Sequence, residues 1–172
     1  KRTVSRKNRL LELYKACKKD NEDLYNAIIN TDETEFKRDA LYLYYTQFGR
    51  CMYTGEIIPL EQIYNKNLYD IDHIFPRSKI KDDSIDNRVL VTKKSNEAKG
   101  NIYPIEQAIR NERLPFWKML LDKGMISQKK FERLARCTSL TDDELMSFIN
   151  RQLVETRQST KAIAQLLRKR YD

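Results

Sequence analysis

The segment Asp70-Ile71-Asp72-His73-Ile74-Phe75-Pro76-Arg77-Ser78 predicts a short β-strand that carries the most reactive side chains of the chain. A period of two places Asp70 and Asp72 on one face of this strand and His73 on the other. Pro76 ends the strand because it has no N–H for the ladder. His73 is the only histidine in 172 residues, and histidine is the side chain that most readily exchanges a proton near neutral pH. We therefore expect any catalysis to occur here.

A second strand and a helix are predicted to follow. The turn-prone residues 81–84 lead into an apolar strand at 87–92, so the two strands form a hairpin with a long loop. Ser95 is a suitable N-cap for a helix that opens at Asn96. The two carboxylates on one strand face repel each other unless a cation or hydrogen-bond donors hold them. A strand–loop–strand–helix unit with these residues is typical of a ββα-metal nuclease site.

Four of these residues carry a resemblance to a known family. Asp72, His73, Asn87 and Asn96 resemble the HNH nuclease motif. The similarity extends from about Leu41 to Leu167, and with it the chain resembles the HNH domain of the type II CRISPR effector, an RNA-guided DNA endonuclease. The residues that carry this wider similarity are 41–45, 49–50, 52–53, 70–74, 81–87 and 151–158.

The resemblance implies roles for the residues of the motif. Asp72 and Asn96 are expected to be the catalytic ligands of one Mg²⁺, which Mn²⁺ could replace, because hard oxygen donors suit these ions. His73 is expected to be the general base that takes the proton of the attacking water. A backbone carbonyl in the loop before the second strand is expected to orient it. Asn87 is expected to position that loop rather than to bind metal.

Three more residues are candidates of lower priority. Asp70 is a possible substitute ligand, although the period of two places it one step further from the site. Lys94 and Lys99 are candidates for contacts with the phosphates of a nucleic acid. They are equally well explained as solvated surface charges.

The resemblance also implies partners and a division of the chain. The substrate would be the DNA strand paired to the guide RNA, and the full-length protein would bind the guide. Residues 1–20 would be a helical linker from a RuvC-like segment, 21–147 the HNH domain with its core at about 68–100, and 148–172 a second helical linker. The isolated domain is expected to be a monomer.

Composition agrees with a polyanionic partner. The formal net charge is +8, and lysines and arginines that neutralise phosphates release counterions, although such a charge can also serve solubility alone. Three widely spaced cysteines form no CxxC pair, because Thr54 stands where a partner of Cys51 would fall, so we expect no zinc. The absence of a signal peptide or long apolar run predicts a soluble protein of the bacterial cytoplasm without membrane contact.

The rest of the chain predicts a mostly helical α+β fold around the small hairpin. Helices are predicted at 36–47 with Gly49 as the C′ residue, at 105–111, from Pro115 to Gly124, at 129–136 with Ser127 as its cap, and from about Leu145 onward behind a Thr141–Glu144 capping box. The tyrosines of the first of these helices are expected to be core residues. Two other functions remain open, namely a free-standing HNH homing or restriction endonuclease and a non-catalytic basic module that binds nucleic acid.

Overall fold

The structure is a computed structural model that describes residues 3–171, except for the side chains at 156, 159 and 171. Within these residues the predicted class is confirmed, because the fold is mostly helical around one two-stranded antiparallel sheet. The elements are α1 (Arg6–Lys15), α2 (Glu22–Ile29), α3 (Asp39–Thr46), β1 (Tyr69–His73), β2 (Arg88–Thr92), α4 (Lys93–Lys99), α5 (Gln107–Asp122), α6 (Gln128–Ala135) and α7 (Asp142–Tyr171). Short 3₁₀ helices lie at Lys18–Asp20, Glu33–Lys37, Leu60–Gln62 and Ile85–Asn87.

The predicted hairpin is confirmed. β1 pairs antiparallel with β2, and the register places Asp72 opposite Val89 and His73 opposite Arg88. The centre of β2 is buried on both faces. Gln47 covers its outer edge, because the Gln47 amide accepts from the Leu90 N–H and donates to the Leu90 carbonyl, both at 2.8 Å. The Met52 N–H also donates to the Leu90 carbonyl, at 3.2 Å, so side-chain and backbone bonds together cover this strand edge.

The helix after β2 begins earlier than predicted. α4 starts at Lys93, and its N-cap is Thr92 rather than Ser95, because the Thr92 hydroxyl accepts from the Ser95 N–H at 3.2 Å. Ser95 therefore lies in the first turn, and its hydroxyl donates back to the Thr92 carbonyl at 3.0 Å. Asn96 consequently lies one turn inside the helix instead of at its first position.

The helix predicted at 36–47 is divided in two. Residues 33–37 form a 3₁₀ turn, Arg38 has extended backbone, and α3 begins only at Asp39. The C′ residue is Phe48, with a φ of 50°, and not Gly49. Gly49 is the following residue, and its N–H donates to the Tyr44 carbonyl at 2.8 Å in a Schellman arrangement.

Two helices were predicted where the structure has one. α5 runs without interruption through Pro115. A proline removes the hydrogen bond to the carbonyl four residues earlier, which here belongs to Asn111. Both residues are exposed, so water can satisfy this carbonyl. The buried side of α5 stays intact and carries Trp117, whose Nε1–H donates to the Met52 carbonyl at 3.0 Å.

The core lies between α1, α3, α5 and β2. The α3 tyrosines are core residues as predicted, since Tyr42, Tyr44 and Tyr45 are all buried. α1 buries Leu10 and Tyr14, and Tyr14 contacts α3 directly, because its hydroxyl donates to the Tyr45 carbonyl at 2.5 Å and its ring lies edge-on to that of Tyr45. The segment predicted as the first linker is thus part of this core within its described residues. The linker boundaries themselves stay a prediction, and residues 1, 2 and 172 lie outside the described residues.

α7 is anchored at its beginning and exposed further along. The predicted capping box is present, with the Thr141 and Glu144 side chains bonding each other's backbone N–H at 3.1 Å. The predicted cap of α6 by Ser127 is present as well. Phe148 of α7 packs edge-on against Phe75, with ring centroids 5.9 Å apart. None of the helices in the described part of the chain has the length and apolarity to cross a membrane.

Candidate active site

The hairpin and α4 bring the predicted site residues onto one small unit. Asp72 and His73 end β1, and α4 follows β2 without a connecting loop. Lys99 links the two parts, because its ammonium lies 3.0 Å from Asp72 Oδ2 and donates to the His73 carbonyl at 3.0 Å. The last turn of α4 is therefore fixed directly against the residues predicted to bind metal and to accept the proton.

Asp72 is a buried carboxylate held by two donors. The Tyr53 hydroxyl donates to Asp72 Oδ2 at 2.7 Å, and the Lys99 ion pair uses the same oxygen. Burial and the charge of Asp72 raise the pKa of Tyr53 well above its ordinary value, so the phenol remains a donor. Among the residues that the structure describes, the polar side-chain contacts of Asp72 all fall on Oδ2.

Asp70 and Asn96 form the neighbouring pair. The Asn96 amide nitrogen lies 3.2 Å from Asp70 Oδ2. This bond turns the nitrogen of Asn96 towards Asp70 and leaves its oxygen as the atom available to a cation. The repulsion expected between the two carboxylates of β1 is thus met by separate donors, Asn96 for Asp70 and the Tyr53–Lys99 pair for Asp72.

His73 contacts a carboxylate that the sequence did not indicate. Its Nε2 lies 2.8 Å from Asp83 Oδ1, and the same oxygen accepts from Arg77 Nη2 at 3.0 Å. Hydrogen bonds from His73 and Arg77 lower the pKa of Asp83. The expected partner was a backbone carbonyl of this loop. The loop was predicted correctly, but the group that it presents to Nε2 is a side-chain carboxylate.

Asn87 makes the bonds that a loop-positioning role requires. It is fully buried, and its oxygen accepts from the Phe75 N–H at 2.9 Å. Its nitrogen donates to the Phe75 carbonyl at 3.2 Å and to the Asp82 carbonyl at 2.9 Å. The two ends of the loop 74–87 are joined through this one amide. The role itself stays a prediction.

The two candidate lysines occupy different environments. Lys94 is exposed on α4. The side chain of Lys99 is only 3% exposed and is paired with Asp72, so its interpretation as a solvated surface charge is wrong. Contact with phosphate stays a prediction for both residues.

Tyr53, Asp83 and Arg77 are the contributors that sequence reasoning did not assign. Tyr53 and Asp83 were noted only within segments of family resemblance, Asp83 also within a turn, and Arg77 only at the end of a strand. No local pattern marks them, because Tyr53 lies 19 residues from Asp72 and Asp83 lies 10 residues from His73. The sequence contains one signal for such residues: Asp70 and Asp72 lie on the same strand face, so hydrogen-bond donors are required around them.

Comparison with known proteins identifies the family. Residues 51–105 match the HNH endonuclease family. The chain is 43% identical over 143 residues, 82% of its length, to the CRISPR-associated endonuclease Cas9 of Streptococcus mutans, and 39% identical over 171 residues, 96% of its length, to that of Listeria innocua. The chain is an HNH endonuclease domain of the Cas9 family. The Cas9 of Staphylococcus aureus is 36% identical over 140 residues, 76% of the chain.

The aligned segments are small parts of these relatives. They cover 10% of the S. mutans protein, 12% of the L. innocua protein and 13% of the S. aureus protein. The chain thus spans about a tenth of the length of the Cas9 proteins that it matches.

The cysteines and the candidate metal ligands are chemically distinct. Cys51 is buried, and its sulfur accepts from the Thr92 N–H at 3.3 Å, so it supports the hairpin. Within the described residues no three His, Cys, Asp or Glu side chains form a metal-binding group. The predicted Mg²⁺ ligands, Asp72 and Asn96, are one carboxylate and one amide. Both the Mg²⁺ site and the expected absence of zinc stay predictions.

Proposed function

We propose that this domain hydrolyses the phosphodiester backbone of the DNA strand that pairs with a guide RNA, as part of a longer Cas9-type nuclease. The observation that carries the proposal is the Lys99 contact with both Asp72 and the His73 carbonyl. This contact fixes α4, and Asn96 with it, beside the end of β1. The similarity to Cas9 proteins over most of the chain favours this function over a free-standing HNH enzyme.

His73 serves as the general base in this proposal. Its side chain is 16% exposed, so one edge of the ring can meet a water molecule. A neutral imidazole can take the proton of the attacking water as the new phosphorus–oxygen bond forms and the bond to the 3′ oxygen breaks. The Asp83 contact fixes the ring orientation during this transfer.

Asp72 and Asn96 would hold a Mg²⁺ ion. The contacts of Asp72 involve Oδ2, and Asn96 directs its nitrogen to Asp70, so each residue retains an oxygen for a hard cation. A bound Mg²⁺ would stabilise negative charge on the phosphate and on the leaving oxygen. Tyr53 and Lys99 hold the Asp72 carboxylate fixed in direction.

The partners follow from the same proposal. The guide RNA would be bound by the full-length protein, and a RuvC-like domain would lie in the same chain. The net charge of +8 favours contact with the paired strands. We also propose that the protein is located in the bacterial cytoplasm and that the isolated domain is a monomer.

The test is strand-specific cleavage by the full-length nuclease carrying His73→Ala. The two DNA strands are labelled separately and incubated with guide RNA, with Mg²⁺ or with a chelator. We expect the guide-paired strand to survive while the other strand is still nicked, and the chelator to stop all cleavage. The matched control is Asp122→Ala, an exposed position at the end of α5, which should cut like the wild type.

Two outcomes would contradict the proposal. Cleavage of the guide-paired strand by His73→Ala at the wild-type rate would mean that His73 is structural. Loss of DNA binding together with cleavage, at an unchanged melting temperature, would favour the non-catalytic binding module. Retained binding with lost cleavage excludes that module.

A further inference from the structure

An exposed carboxylate of the hairpin loop reaches the ring of the only histidine. Asp83 is 47% exposed, whereas His73 is 16% exposed, and Asp83 Oδ1 lies 2.8 Å from His73 Nε2. A carboxylate on the surface gains little from an ordinary ion pair. The contact of Asp83 with a ring that is mostly shielded from water is therefore not explained by the stability of an ion pair alone.

Hydrogen bonds hold the backbone on either side of Asp83. The preceding carbonyl, of Asp82, accepts from the Asn87 amide at 2.9 Å, and the Asp82 carboxylate accepts from Arg133 Nη1 at 2.8 Å. The following residue, Ser84, donates its N–H to Asp82 Oδ1 at 2.9 Å and accepts from the Asn87 N–H at 3.0 Å. Asp83 is thus presented to His73 by a loop with internal bonds, although its own side chain faces solvent.

Arg77 completes the arrangement. Its Nε and Nη2 lie 3.3 and 3.0 Å from Asp83 Oδ1, the oxygen that also meets His73. A guanidinium donates from two neighbouring nitrogens and cannot accept, so it restrains the carboxylate without competing for the histidine proton. Asp83 Oδ1 therefore lies between the donors of Arg77 on one side and His73 Nε2 on the other.

We propose that Asp83 is a positioning residue that fixes the proton of neutral His73 on Nε2 and leaves the lone pair of Nδ1 to accept the proton of the attacking water. An ionised carboxylate can only accept a hydrogen bond, so the nitrogen that faces it must be the donor. Neutral imidazole carries one proton, and Nδ1 is then unprotonated. The assignment rests on the proposed function for its catalytic consequence, but the tautomer is a property of the folded chain alone.

The role of Arg77 follows from the same geometry. It holds Asp83 in the orientation that meets Nε2. Removing Arg77 should weaken the preference for the Nε2–H tautomer, whereas removing Asp83 should abolish the hydrogen bond. Asp83 acts through His73, so its loss should have no effect on cleavage when His73 is already absent.

The first measurement is nitrogen NMR of the ¹⁵N-labelled 172-residue chain at about pH 8.5, where imidazole is ordinarily neutral. The chain has a single histidine, so the ring signals need no assignment to a residue, provided that any purification tag is free of histidine. The two-bond couplings distinguish the nitrogens, because Hδ2 couples to Nε2 and Hε1 to both. We expect one wild-type tautomer with the proton on Nε2. Asp83→Ala should give averaged ring shifts and a faster-exchanging ring proton, and Asp122→Ala should match the wild type. A wild-type proton on Nδ1, or unchanged ring shifts in Asp83→Ala, would overturn the proposal.

The second measurement is cleavage of the guide-paired strand by the full-length nuclease. Partners that orient metal-bound histidines typically contribute about 10- to 100-fold in activity. Asp83 would orient a general base in the same way, so we expect kcat to fall by about this factor in Asp83→Ala with KM unchanged. In a His73→Ala background the same substitution should cause no further loss. An unchanged kcat, or an equal loss in the absence of His73, would overturn the positioning role. If His73→Ala itself cleaves normally, the proposed function fails while the NMR result stands.

Discussion

The buried ion pair between Lys99 and Asp72 offers the sharpest test of how this site is held together. The two side chains are 3% and 10% exposed, so solvent screens their attraction little. Lys99→Met keeps most of the length of the side chain and removes its charge. It leaves Asp72 with Tyr53 as its polar partner among the described side chains, and it leaves the His73 carbonyl without the Lys99 donor.

The expected cost is large. Removing one partner of a buried ion pair typically costs about 3–5 kcal/mol, because the other charge stays buried without compensation. For a chain of this size each kcal/mol lowers the melting temperature by about 2–4 °C. We therefore expect Lys99→Met to melt about 6–20 °C below the wild type.

The assays are thermal melting for the melting temperature and urea unfolding for the free energy of unfolding, both followed by circular dichroism without metal. Lys94→Met is the matched control, because Lys94 is an exposed lysine of the same helix and should change the free energy of unfolding by no more than about 0.5 kcal/mol. The double variant Lys99→Met with Asp72→Asn should be more stable than the sum of the single effects predicts. A loss below about 1 kcal/mol in Lys99→Met, or strict additivity in the double variant, would contradict a stabilising role of the ion pair.

Three further predictions concern the loop and its surroundings. Asn87→Ala should lower the melting temperature more than Asn96→Ala, because Asn87 is fully buried with three loop bonds while Asn96 is half-buried; equal melting temperatures would contradict this. Burial raises the pKa of Asp82, but hydrogen bonds from Ser84 and Arg133 outweigh it and lower this pKa from 3.8 to about 2. The stabilisation from Asp82 should be complete above its unfolded pKa and be lost as the pH falls towards about 2, so acid unfolding of Asp82→Asn should depend less on pH in this range. Burial lowers the pKa of Lys130 from 10.5 to about 7. The buried charge therefore destabilises the fold fully below pH 7, and this destabilisation disappears as the pH rises past 10.5. Lys130→Met also removes the hydrogen bond to the Arg88 carbonyl, a loss that is present at both pH values. The unfolding midpoint of the variant relative to the wild type should therefore be higher at about pH 6 than at about pH 10, and an equal difference at both would contradict the shift.

Some of this protein was determined by local sequence. The alternation of Asp70 and Asp72 with Tyr69 and Ile71 specifies β1, since a strand has a side-chain period of two. The apolar run after Asn87 specifies β2, and the loop between them is long enough to close the hairpin. The capping box at Thr141 and the cap at Ser127 were also readable, because each depends on residues three positions apart.

Where local signals competed, the sequence alone did not decide. Thr92 and Ser95 are both good N-caps, and the strand ladder ends at Thr92, so the helix starts there. Pro115 predicts a helix boundary, but its exposed position lets water satisfy the carbonyl that it leaves unpaired. In both places the surrounding structure selected one of two locally acceptable outcomes.

The partners of the site residues were decided only by the tertiary structure. The sequence identified Asp72, His73 and Asn96 through their motif, but not that Tyr53 and Lys99 hold one carboxylate or that Asp83 meets the histidine. These contacts join residues that are 10 to 27 positions apart. A hydrogen bond requires its donor and acceptor within about 3 Å and in a narrow range of angles. Periodicity fixes which face a side chain occupies, but only packing of the whole chain brings such atoms to that separation.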